Sequence, residues 1–331
     1  MSKFQPKNFL FTILGHREFG LLCLILTVGI VVGIVDSGFL SYGNIRDILV
    51  RCAPTAIVAS GVMLVIVTGE IDISVGALMG LLAAVLGKLI SHNEANLSMW
   101  VGIPATLLVG ALVGMFTGFL VTVGRVPSII ATLGLLTALR GATMLIMGGK
   151  NIDSLPESLA TLSKHGPLGI PLSLWVASAI ILVTATIISR MPLGRQLYAV
   201  GSSRYSANMV GLSETRLKLF VFAYVGLLTA LATIVDVPRL PKIEAGIGVG
   251  FELLVVTCVV VGGVSISGGR GTIWGVLLAI VLMTMVRPAL TFLDVGEAGE
   301  KWTKAIQGTF IILAVVTDSV ISRLSKRGSH S

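Results

Sequence analysis

Charge is scarce in this chain. Asp, Glu, Lys and Arg make up 12% of its 331 residues, about half the roughly 25% of soluble globular domains. No polar interval approaches the ~50 residues that a separate soluble domain needs. That shortage excludes an ordinary water-soluble fold and a second, extramembranous domain. Aromatic residues are also few, at 6%, and the basic residues form no stripe, so a stacking surface for nucleic acid is excluded as well. Three cysteines, Cys23, Cys52 and Cys258, sit inside apolar runs with neither metal-ligand spacing nor a disulfide framework, and read as core packing. Four histidines, His16, His92, His165 and His330, lie too far apart to suggest a metal centre. No GxSxG, no HExxH and no paired carboxylates in a plausible site occur. The expectation is a chain without catalytic residues, metal or cofactor of its own.

What is present is apolar length. With 54% hydrophobic residues and a mean hydropathy of +0.97, the chain reads as an all-α polytopic membrane protein with one transmembrane domain over residues 1–331. A helix needs ~20 apolar residues to cross the hydrocarbon. About ten transmembrane helices are expected, on Phe19 to Val35, Ile48 to Thr68, Val75 to Ile90, Met99 to Val123, Pro127 to Met147, Pro171 to Ser189, Leu219 to Val235, Phe251 to Ile266, Thr272 to Leu290, and Thr303 to Ser322. No clear small-residue cleavage site follows the first run, so it is expected to be retained as a span. With the N- and C-termini cytoplasmic, the inner loops hold 13 basic residues against five acidic ones, and the outer loops 10 against eleven. That excess has the sense of the positive-inside bias. Trp100, Trp175, Trp274 and Trp302 all fall near span ends, as headgroup anchors do.

The 39 glycines are spread through the spans, where small residues let helix backbones approach closely in lipid. Some also mark breaks. VTGEIDISVGAL sets Glu70 and Asp72 between glycines at the end of an apolar run, and ionised groups there must face water or a protein cavity. Two readings stay open: a polar kink beside a translocation pathway, or an interfacial turn in which Asp72 or Ser74 caps the next helix. Arg140, in TLGLLTALRGATM, is the one basic residue well within a span. It either lines a pathway or pins neighbouring helices. Glu70, Asp72, Ser74 and Arg140 are therefore the candidate pathway residues. In an ion-coupled secondary transporter, the alternative function, Glu70, Asp72 and Arg140 would form a relay at a broken helix. A third glycine-rich break, VVVGGVSISGGRGTIWG, lacks the GxxxxGK order of a phosphate loop and is expected to be a tight cytoplasmic connection.

The longest polar interval is RMPLGRQLYAVGSSRYSANMVGLSETRLK, Arg190 to Lys218, with four arginines and one lysine against the single carboxylate Glu214. It separates two apolar runs a little past the middle of the chain. Its basic balance assigns it to the cytoplasm.

Taken together in this order, these stretches resemble the ribose-type permease family, the membrane subunits of bacterial ABC sugar importers. TGEIDISVG is similar to the family's TGGIDLSVG, VPSIIATLGLLTALRG to its segment ending TLG with a later RG, and GGVSISGGRGT to its GG-x-S-x-x-GG-x-G stretch. The resemblance covers about Leu40 to Ser322 and implies a type II ABC importer-like bundle in the bacterial inner membrane. Within it, PLGRQLYAVGSSRYSANMVGLS resembles the cytoplasmic segment that docks the ATP-hydrolysing subunit, G-R-x-x-Y-A-x-G-x-N-x-x-A-A-x-x-x-G. Gly194, Arg195, Tyr198, Ala199, Gly201, Ala207 and Gly211 match it. Ser203 stands where Asn is usual, Ser206 where the first Ala often stands, and Glu70 replaces a Gly of the other motif. The resemblance makes Gly194, Arg195, Tyr198, Gly201, Arg204, Ala207 and Gly211 candidates for ATPase coupling, the small residues for close approach to the partner and the arginines for pairing with its acidic rim. It also implies ATP bound on the partner alone, a periplasmic solute-binding protein, and a second permease copy or paralogue. The solute would be a monosaccharide or sugar-like molecule, and GGKNIDSLPESL in an outer loop favours the autoinducer-2 or rhamnose branch.

Overall fold

A computed structural model describes residues 17–157, 159, 161 and 166–328. Lys3, Lys7, Lys164, His16, His165 and His330 lie outside the described residues. Helices α1 Arg17–Val35, α2 Tyr42–Val67, α3 Val75–Ile90, α4 Met99–Thr122, α5 Ser128–Met147 and α6 Leu172–Arg190 come first. Then follow α7 Pro192–Ser202, α8 Arg204–Met209, α9 Glu214–Asp236, α10 Phe251–Val261, α11 Ile273–Phe292 and α12 Gly299–Gly328. Each of the ten apolar runs falls on a helix, and among the described residues seven helices are long and apolar enough to cross a membrane. Helices α3 and α10 are shorter. The run expected over Phe251 to Ile266 ends as a helix at Val261. There Gly263 takes φ 94° and the amides of Gly263 and Val264 return to the carbonyls of Val260 and Val259, the bonding that closes a helix C-terminus.

The chain divides into two compact units. One lies within Met1–Cys52, Thr257–Val264 and Gly271–Ser331. In it α1 packs on α11, with Thr272 Oγ1 donating to Glu18 Oε1 at 2.8 Å, and Phe39 meets Phe292 edge to face at 5.6 Å.

The other unit, Ala53–Val256 with Ser265–Arg270, is built on the second part of α2, whose residues from Ile57 to Val67 are buried without exception. Its closest helix pair is α4 with α9. A side chain at Gly226 would collide with the Gly110 carbonyl and the Gly114 backbone, and one at Gly114 with the Phe222 carbonyl. Small residues at four-residue spacing on α4 thus bring the two backbones together, as the glycine content led us to expect. Ile152, in the stretch GGKNIDSLPESL, forms an isolated antiparallel bridge with Ile243 and packs with Leu86, Ile90 and Met147. The four tryptophans are exposed or largely so, in keeping with anchoring at headgroups.

Candidate functional site

The site begins where α2 stops. The amides of Gly69 and Glu70 bond back to the carbonyls of Ile66 and Val65 at 2.9 and 3.2 Å, and Gly69 takes φ 78°. This is a Schellman ending, in which glycine accepts the left-handed conformation that a side chain resists. Beyond it the chain runs extended. Ile71 N donates to Ser128 Oγ at the start of α5, and Asp72 Oδ1 accepts both the amide and the hydroxyl of Ser74, at 2.8 and 2.7 Å. Asp72 and Ser74, both buried, thus form a turn that leads into α3, and Ser74 stands at the N-cap of that helix with no side-chain capping bond.

Glu70 has different partners. Its Oε1 accepts from Lys218 Nζ at 2.5 Å and from Arg204 Nη2 at 2.8 Å. Glu214, one turn before Lys218 on α9, also bonds Lys218 and lies 3.5 Å from Arg204 Nε. Two carboxylates thus hold two cations in a closed square. Lys218 is only 3% exposed, and an ammonium so placed is tolerable only because it is paired. Arg204, 56% exposed, closes the square from the outside. The square forms one wall of a cavity of about 610 Å³, and Arg125 and Ser128 line another part of it.

Three segments meet at this end of the unit. Gly269 N donates to Val67 O at 2.8 Å, and a side chain at Gly201 would strike both groups. The C-terminal end of α7 therefore lies directly on the end of α2 and on the turn Ser265–Arg270. Gly194 is likewise occupied: a side chain there would meet the carbonyls of Ile187 and Ile188 on α6. Ala207 is buried. These three small residues, expected to ease a partner's approach, sit against the chain's own backbone or core. Tyr198 is half-buried, and burial pushes its phenol up from the ordinary value. Arg195 and Gly211 are exposed. So are three apolar side chains that the sequence did not single out, Tyr205, Met209 and Val210, at 76, 72 and 75%.

Arg140 stands apart. Its Nη1 donates to Ile247 O at 2.5 Å and lies against Gly80 of α3, while Gly76, one turn away, faces Glu252 and Gly248 O. Glu252 also went unremarked in the sequence; its signal is the broken stretch GIGVGFE that opens α10. Glu70, Asp72 and Arg140 thus have three separate sets of partners, and no shared relay among them forms. Among the described residues no group of three metal-ligating side chains occurs.

Comparison with known proteins adds identity to this geometry. The family described as branched-chain amino acid transport system / permease component matches residues 44–315. The chain belongs to this permease family. It is 33% identical over 324 residues to the ribose import permease protein RbsC of Haemophilus influenzae, covering 97% of each chain. The Escherichia coli RbsC is 32% identical over 321 residues, 93% of this chain and 98% of the relative. The autoinducer 2 import system permease protein LsrC of Yersinia pestis is 33% identical over 304 residues, 92% of this chain and 85% of the relative. The permease is a multi-pass membrane protein and a transport subunit, not an enzyme. Its departures from the family pattern also find a physical account. Ser203 caps α8, accepting from Ser206 N at 3.2 Å and donating to Ser206 Oγ at 3.0 Å, so the two exchanged positions bond each other. The third, Glu70, supplies one of the two carboxylates of the square.

Proposed function

We propose that this permease is the membrane-spanning subunit of an ATP-driven ABC importer for a monosaccharide or sugar-like solute. The observation that carries the reading is similarity along nearly the whole chain to import permeases for ribose and for autoinducer 2. In this reading residues 1–331 form one permease domain of the bacterial inner membrane with about ten spans and both termini cytoplasmic. Helices α3 and α10 are its short, glycine-broken spans, and such broken helices are a common place for transport pathways. Glu70, Asp72, Ser74 and Arg140 remain the candidate pathway residues, and Glu252 joins them.

Arg190 to Lys218 docks a separate ATPase subunit, which alone binds ATP. The partner meets Arg195, Gly211 and the exposed apolar side chains of Tyr205, Met209 and Val210. Exposed apolar and arginine side chains of this kind are what protein interfaces use as anchors. Gly194, Gly201, Tyr198 and Ala207 hold the docking helices on the membrane part. A periplasmic solute-binding protein delivers the cargo, and a second permease copy or paralogue completes the pathway. The test is purification of the tagged permease in mild detergent from its own host. An ATPase subunit and a binding protein charged with a sugar-like ligand should co-elute. Elution of the permease with neither would contradict the reading.

A further inference from the structure

We propose that Glu70 is a positioning residue for coupling: it ties the ATPase-docking helices to the break between α2 and α3, so that movement of the one is passed to the other. The inference rests on the docking reading of Arg190 to Lys218. It starts from where the two arms of the tie are rooted. Arg204 belongs to α8, within the docking segment, and Lys218 to the first turns of α9, where that segment ends. A single oxygen, Glu70 Oε1, takes both. Glu70 itself is the third residue beyond the end of α2, and its neighbours Ile71 and Asp72 are bonded to Ser128 on α5 and to Ser74 at the entry of α3. Displacement of α8 or of the start of α9 therefore pulls on a turn whose next residues lead into α3 and are hydrogen-bonded to the start of α5.

Ordinary packing does not account for this arrangement. The helix ending needs only Gly69, and a glycine at position 70, as in the family pattern, would close the same turn through its backbone. A carboxylate placed there pairs with Lys218, whose ammonium is out of solvent, a costly arrangement unless it stays paired. The backbone contact of Gly201 with Val67 and Gly269 runs parallel to the charge contact. It holds the docking segment near, while the charge square fixes its angle and register.

The experiment reads the break directly and needs no knowledge of the cargo. In the permease–ATPase complex, Cys23→Ser removes the one exposed thiol, and Ile73→Cys places a probe in the half-buried turn. Maleimide labelling is timed without nucleotide and with ATP plus vanadate. With Glu70 in place the rate should change by about fivefold or more, the lower end of ordinary coupling between sites. With Glu70→Gln it should hold steady while the ATPase stays bound, and Glu70→Asp should restore part of the response. The double variant Glu70→Gln/Lys218→Met strands no buried ammonium, keeps the complex folded, and should behave as Glu70→Gln does. A full nucleotide response in either Gln variant overturns the inference, as does no response with Glu70 in place and the ATPase bound. If the ATPase does not bind even the Glu70 form, the docking reading itself falls.

Discussion

Lys218 and Glu70, 148 positions apart in sequence, meet at 2.5 Å in a site where the lysine is 3% exposed. The contact joins the root of α9 to the end of α2, and four charged side chains are mutually satisfied around it. Loss of the glutamate alone leaves the ammonium to Glu214. Because that second acid remains, Glu70→Gln should cost at or below the ~3 kcal/mol lower bound for breaking a buried pair. Thermal unfolding in detergent would show this, with Glu70→Gln/Lys218→Met recovering most of the loss.

The α4–α9 contact gives a paired prediction. Gly226→Ala forces a methyl into the Gly110 carbonyl and the Gly114 backbone, and should destabilise by about 1–3 kcal/mol as overpacking does. Gly134→Ala, on α5 with nothing within 4 Å, should be neutral or raise stability by up to about 1 kcal/mol through helix propensity. Equal effects of the two in a detergent melt would remove the close-approach explanation.

Between Arg190 and Lys218, Ser203→Ala removes the cap of α8 and should cost about 1 kcal/mol, whereas Ser203→Asn, the residue of the family pattern, should be nearly neutral. Hydrogen exchange of residues 203–209 is the readout. Faster exchange in the Ala variant alone is expected.

Gly201→Ala and Gly211→Ala should part company. The first collides with Val67 and Gly269 and should loosen α7 from the membrane part. The second meets nothing within 4 Å and bears only the strain of φ 79°, about 1–2 kcal/mol. Protease nicking between Ser202 and Ser213 should increase sharply in the first and little in the second.

Much of this architecture was legible in the sequence because lipid permits few solutions. Apolar length located every helix from α1 to α12 except the polar pair α7 and α8, and Gly69 marked a real end, whereas α10 ends before Gly263 although its apolar run continues to Ile266. The basic interval around Arg204 was legible as charge, yet its pairing was not. Glu70 and Lys218 come together only through tertiary packing, and no local pattern encodes a contact of that separation. The small residues misled in one respect. Gly194 and Gly201 read as room for a partner, while the structure spends that room on α6 and α2, because close backbone approach within a chain and between chains needs the same residue. Tyr205, Met209 and Val210 passed unnoticed, since three apolar side chains in a polar stretch carry no period by which to distinguish exposure from burial.

Uptake of D-ribose and autoinducer 2 into proteoliposomes holding the permease, its ATPase and its binding protein tests the transport mechanism most directly. The expected result is uptake that requires ATP and the ATPase subunit, survives dissipation of ion gradients, and falls with Met209→Asp or Val210→Asp as the ATPase detaches. Uptake by the permease alone, driven by an ion gradient and abolished by an ionophore, would contradict it.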